Sequence, residues 1–278
     1  MTQIVCIHGI AQEFKSREIL LGEWGPALRG GVSLAGGRLD DGEFDMAFYG
    51  SLFRPEGGAL KGDASIPEFT PGDADHPIEQ AVLRDLYEAS IAIAPESDTA
   101  EAKGRMTGGM LQVVARTPFF GGVAQKVVIW ALKQVRRYVS DPVLNAAARK
   151  ALLDAISDDT RVVVSHSLGS VVAWETLCAH PALKVHTLIT VGSPLGIPAL
   201  LPRLDPPVVK TPGPWPGGLT RWVNVADKYD VVALEKRLAR LYGNRVEDYF
   251  VDNGATMHDI SPYLTSREVG QAIRSALG

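Results

Sequence analysis

This 278-residue chain carries one serine, one histidine and two aspartates whose types and order suit nucleophilic acyl chemistry. The serine is Ser167, in Arg161-Val-Val-Val-Ser165-His166-Ser167-Leu168-Gly169-Ser170. Residues with strand preference run into it, and an apolar helical stretch, Val171 to Cys178, follows at once. Such a turn lifts a side chain to the top of a sheet. It also aims the first amides of the next helix at the same point, where they can bind an oxyanion. A serine hydroxyl is a weak nucleophile and needs a base within hydrogen-bond reach. His258, beyond the last strand-like segment, is the candidate base. Asp227 and Asp230 are candidates for the carboxylate that would fix the imidazole tautomer. Taken singly, Ser167 would read as a helix N-cap and His258 as a surface histidine. It is their combination that points to catalysis.

Positioning these groups requires a sheet. Strand patterns cover Thr2–Ile7, Glu43–Tyr49, 161–166, Val185–Val191, Arg221–Ala226 and Val246–Val251. Helical spacing covers Ser16–Arg29, with a break or kink expected at Gly25-Pro26, and a loop is expected over Gly30, Gly31, Gly36 and Gly37. Further helices are expected over Pro77–Ile93, Met106–Ala115, Phe119–Val139, a segment from Asp141-Pro142 to Ile156, Val231–Leu241 and Ser261–Leu277. Residues 55–75 read as a loop, and 194–218, with eight prolines, as a second. The alternation predicts an α/β fold: a doubly wound, mostly parallel sheet of about six strands. A single domain, 1–278, is expected, with residues 55–157 as a helical insertion and candidate cap between strands two and three. Ligands of such sheets sit beyond the carboxyl ends of the strands. His8-Gly9-Ile10, Ser167, the two aspartates and His258 all fall at such ends.

With those residues in place, the sequence resembles the α/β-hydrolase superfamily, in its small lipase/esterase type. Val-Ser-His-Ser167-Leu-Gly-Ser is similar to the family's nucleophile elbow, with Ser165 where the pattern Gly-x-Ser-x-Gly has its first glycine. Val-Cys-Ile-His8-Gly9-Ile10 resembles its oxyanion loop, and Met257-His258-Asp-Ile-Ser-Pro-Tyr263 the loop carrying its histidine. The resemblance covers 1–50 and 158–278. It implies a Ser167–Asp230–His258 triad in the chain order Ser, Asp, His. Asp230 is preferred to Asp227 because family acids lie a few residues into the loop. It also implies an oxyanion hole formed by the Ile10 and Leu168 amides, with His8 tying that loop.

The expected activity is hydrolysis of carboxylic esters of apolar or lipid-like substrates through an acyl-enzyme. Acyltransferase, thioesterase or amidase chemistry would use the same triad, and a non-catalytic binding module would keep only the fold. Phe119, Phe120 and Trp130 in the apolar insertion are candidates for a lid or acyl-chain wall, against the alternative of helices packed on one another. Scattered histidines without paired carboxylates give no metal site, and no cofactor is expected. A net charge of −4 argues against nucleic acid as a partner. No apolar run reaches the roughly 18 residues of a membrane span. The N-terminus shows no signal peptide, so a cytoplasmic protein is expected, with signal-independent export left open. Cys6 and Cys178 read as buried free thiols.

Overall fold

A computed structural model describes residues 2–55, 66–93, 107–117 and 124–278. Six strands form one all-parallel sheet: β1 (Ile4–Ile7), β2 (Phe44–Ala47), β3 (Val162–His166), β4 (Thr187–Val191), β5 (Arg221–Asp227) and β6 (Val246–Val251), in the order β2-β1-β3-β4-β5-β6. The chain leaves β1 toward one edge and later returns to its other side with β3. The crevice at a topological switch point therefore lies between the ends of β1 and β3.

Strand alternation feeds two cores. Ile4 and Cys6 of β1, with Val162 and Val164 of β3, pack beneath Leu20, Trp24 and Leu28 of α1 (Arg17–Leu34). Tyr263 of α8 (Ile260–Thr265) and Val269 and Ile273 of α9 (Arg267–Leu277) complete that face. Val5, Ile7 and Val163 face the other way, onto α5 (Pro142–Ala155) and α6 (Leu168–Ala179). Near-continuous apolar strands follow from burial on both faces.

Between β2 and β3 the described residues form α2 (Pro77–Ile93), α3 (Thr107–Arg116), α4 (Gln125–Ser140) and α5. Only part of this segment is a cap-like layer. Leu144, Ala148 and Leu152 of α5 belong to the sheet core. The helices α2, α3 and α4 share a separate cluster (Val82, Leu86, Leu111, Val114, Val128 and Leu132), closed by Ile197 and Leu200 of the proline-rich loop. Among the described residues, no helix is long and apolar enough to cross a membrane.

Three local expectations differ from the observed elements. Helix α1 runs through Pro26 and includes Gly30 and Gly31. Gly31 is where α1 meets α8 and α9: a Cβ there would lie 2.0 Å from the Leu264 carbonyl oxygen, and one on Gly270 would lie 1.9 Å from that of Gly31. The Val231–Leu241 helix shrinks to α7 (Ala239–Tyr242). Side-chain carboxylates take the amides a helix would have used: Asp230 those of Val232 and Ala233, and Asp248 those of Leu238 and Ala239. The C-terminal helix is divided at Ser266, whose hydroxyl caps α9 by accepting from the Val269 N–H.

Candidate active site

Ser167 occupies the turn from β3 into α6 with φ 51° and ψ −131°. A non-glycine residue at positive φ is costly, of order 1–3 kcal/mol, and persists only where its surroundings hold it. Its own N–H donates to the Val191 carbonyl (3.1 Å). Its carbonyl accepts from both the N–H (2.8 Å) and the hydroxyl (2.7 Å) of Ser170, which also contacts the Ser193 hydroxyl at 2.6 Å. The Ser167 side chain stands at the N-cap position but makes no capping bond. The strained backbone at Ser167 is therefore not offset by helix capping.

Two glycines permit this turn. A Cβ on Gly169 would come 2.3 Å from the His8 carbonyl oxygen, and one on Gly9 would come 2.6 Å from the Ser167 Cβ. The start of α6 is thus pressed onto the end of β1. Ser165 is accommodated within the sheet, where its hydroxyl donates to the Ile189 carbonyl at 3.0 Å.

Asp230 and His258 meet across the end of β4. Asp230 Oδ2 lies 2.6 Å from His258 Nδ1 and accepts from the Tyr263 hydroxyl at 2.9 Å. Asp230 Oδ1 takes the Val232 N–H (2.9 Å) and the Ala233 N–H (3.4 Å). Burial acts to raise the Asp230 pKa, but the facing His258, Lys236 and the Tyr263 hydroxyl outweigh it, and the net shift is downward. Gly192, at φ +55°, makes room: a Cβ there would approach Asp230 Oδ2 to 2.9 Å and His258 Nδ1 to 3.0 Å. Since the preceding residue, Val191, receives the Ser167 N–H, Ser167 and His258 flank the same two residues.

Asp227 is also fully buried, but its carboxylate is spent on the backbone. Oδ1 accepts from the Tyr229 N–H at 2.7 Å, an Asx turn, and Oδ2 from the Asn253 N–H at 2.5 Å. The Asp227 N–H donates to the Tyr263 hydroxyl (2.8 Å), which in turn donates to Asp230. Of the two aspartates, Asp230 is the one against His258.

The Ile10 and Leu168 amides make no hydrogen bond among the described residues. Trans peptides point N–H and C=O in opposite directions. The Gly9 carbonyl is bound by His8 Nδ1 at 2.7 Å, so the Ile10 N–H faces away from the buried ring. The Ser167 carbonyl is bound by Ser170, so the Leu168 N–H likewise faces away from it. His8 accepts the Tyr49 N–H on Nε2 (3.1 Å), which leaves Nδ1 as the donor. Burial lowers its pKa to about 4, keeping it neutral. His8 therefore holds the loop, as expected from the sequence.

Ser167, Ile10 and Leu168 share the wall of an apolar cavity of about 40 Å³ with Val82 and Leu86 of α2, Ala131 and Val135 of α4, and Ile197. Trp130 is not on that wall. A buried indole N–H needs an acceptor, and here it donates to Glu13 while the ring stacks on Phe69. Phe119 and Phe120 lie outside the described residues. Among the described residues, no group of three or more His, Cys, Asp or Glu side chains is arranged to hold a metal ion.

Two further side chains touch the Asp230–His258 pair, and the sequence motifs that contain them give neither a role. Tyr263 reaches Asp230 from α8. His166 donates Nε2–H to the His258 carbonyl at 2.9 Å, with the two rings 4.6 Å apart. Burial first, then the neighbouring His258, lowers the His166 pKa to about 3, so it acts as a neutral prop. Comparison of the chain with protein-family models, with curated proteins and with solved structures finds no match.

Proposed function

We propose that the protein is a serine hydrolase of the α/β-hydrolase type, cleaving carboxylic esters with an apolar acyl group through an acyl-enzyme. The observation that carries this reading is the buried Asp230 carboxylate 2.6 Å from the half-buried His258 ring, at the same end of the sheet as a serine held at positive φ at the switch point. In this reading the Nδ1–H of His258 is committed to Asp230, so the lone pair for proton transfer lies on Nε2. His258 takes the Ser167 proton as Oγ attacks the ester carbonyl, and the Ile10 and Leu168 amides receive the oxyanion. The C–O bond to the alcohol then breaks as His258 returns the proton to the leaving oxygen. Water, deprotonated by the same imidazole, attacks the acyl-enzyme and releases the acid and Ser167. The strand order, with the serine after β3, the acid after β5 and the histidine after β6, supports the family resemblance. The apolar cavity at Ser167 supports the substrate class.

A fluorophosphonate probe tests the reading. It should label the wild type once, at Ser167, and hydrolysis of short p-nitrophenyl esters should disappear together with labelling in Ser167→Ala. A wild type that neither labels nor turns over any ester, or labelling that persists in the variant, rejects it.

A further inference from the structure

We infer that the helical insertion completes the oxyanion hole: Gln134 of α4, backed by Glu13 and Trp130, is a positioning residue for the Ile10 amide. The inference rests on the hydrolase reading above and adds to it a role for a segment that the family resemblance does not cover.

The loop after β1 is unusual at Ala11, a non-glycine residue at φ 61°. Left alone, such a residue relaxes toward negative φ, because its Cβ crowds the neighbouring carbonyl. Gln134 opposes that relaxation. Its Oε1 accepts the Ala11 N–H at 3.0 Å, 123 positions away in sequence. On the other side of the same peptide, the Ile10 carbonyl accepts from Gln12 Nε2 at 3.2 Å. The Ile10–Ala11 peptide plane is therefore gripped at both ends, while His8 grips the Gly9–Ile10 plane before it. Together these bonds fix the direction of the Ile10 N–H.

Gln134 is itself locked. It is 1% exposed, and its Nε2 donates to Glu13 Oε2 at 3.1 Å. The other Glu13 oxygen accepts the Trp130 indole N–H, one helical turn before Gln134. The Glu13 backbone carbonyl takes Arg54 Nε at 2.7 Å, and Glu13 is 2% exposed. A buried glutamate on the catalytic loop is thus satisfied by two side chains of the insertion, and one of those returns an acceptor to the loop. A carboxyl group buried in this way is costly unless every partner stays in place. Helix α4 is accordingly a fixed strut. Swinging it off the site as a lid would withdraw Gln134 from Ala11 and let the oxyanion donor turn away.

The test uses the full chain, with kcat and KM on p-nitrophenyl butyrate and the inhibition constant of an alkyl trifluoromethyl ketone, which forms a tetrahedral oxyanion on the serine. Gln134→Ala should keep its fold by circular dichroism, its fluorophosphonate stoichiometry and its KM. Its kcat should fall by about 10–100-fold, somewhat less than the loss of a whole oxyanion donor, with the ketone weakened by a similar factor. A general loosening of the fold would instead lower the titratable fraction and leave the two factors unrelated. Trp130→Phe, which keeps the ring volume and removes one donor to Glu13, should show a smaller loss of the same pattern. It carries the test if Gln134→Ala does not fold. A folded variant with wild-type kcat and ketone affinity overturns the inference while leaving the hydrolase reading standing. A wild type inert to both ester and fluorophosphonate removes that reading, and this inference with it.

Discussion

Replacing each aspartate of the β5 loop by asparagine separates the acid from its neighbour. In Asp230→Asn the new amide has one acceptor and one donor end. The Oδ1 position faces the Val232 and Ala233 amides, both donors, so the carbonyl oxygen must remain there. The NH2 then takes the Oδ2 position, 2.6 Å from His258 Nδ1. It donates to that nitrogen and drives the imidazole proton to Nε2, the atom that has to accept from Ser167. Fold and ring position are retained and the tautomer is wrong. The expected loss in kcat is about 10⁴-fold, or about 5.5 kcal/mol of transition-state stabilisation. Asp227→Asn meets different surroundings. Its two oxygens accept from the Tyr229 and Asn253 amides. Turning one acceptor into a donor there should cost about 1–3 kcal/mol of stability and leave kcat near wild type. The assay is steady-state ester hydrolysis beside urea unfolding on both proteins. The reasoning is refuted if folded Asp227→Asn loses as much kcat as Asp230→Asn, or if Asp230→Asn keeps wild-type turnover.

Two further outcomes follow from buried groups. The cavity at Ser167, at about 40 Å³, holds roughly three water-sized groups, which favours short acyl chains. Ala131→Leu should fill it and erase the advantage of butyrate over acetate esters, worth about 0.8 kcal/mol, or fourfold in kcat/KM, per methylene buried; an unchanged ratio of the two esters contradicts this assignment of the acyl pocket. His8 has its pKa lowered by burial from 6.5 to about 4. The unfolded chain therefore takes up a proton that the native state refuses. This contribution to stability is complete above pH 6.5 and is lost as pH falls through about 4, amounting to about 3 kcal/mol in all. His8→Gln, which keeps both an acceptor and a donor, should flatten urea-derived stability against pH within that window, and a slope equal to the wild type's would show that His8 does not carry the acid sensitivity.

Much of this molecule is legible as residue order. The central strands β1, β3 and β4, buried on both faces, announce themselves as short apolar runs, and all six strands stand where the pattern puts them, the half-exposed edge strand β6 included. The serine turn, the histidine after the sixth strand and the glycines beside them are local features, since backbone conformation at a turn is written in a few adjacent residues. Helix limits were less readable where distant side chains intervene. Gly30 and Gly31 look like loop residues, yet α8 and α9 need a surface without side chains, and α1 continues through them. The Val231–Leu241 pattern is helical in spacing, but two carboxylates claim its amides.

The site divides along the same line. Residue order points to Ser167 and His258 and leaves two aspartates as candidates for the acid. The choice between Asp227 and Asp230 turns on which carboxylate faces a ring 28 or 31 residues further on, and on a tyrosine from a third element that bridges both. The same holds for Gln134 and Glu13, which look like ordinary surface residues of a helix and a loop until packing buries them against each other. Hydrogen bonds between segments more than a hundred residues apart leave no trace in local pattern, because neither partner needs the other until the chain has closed around them.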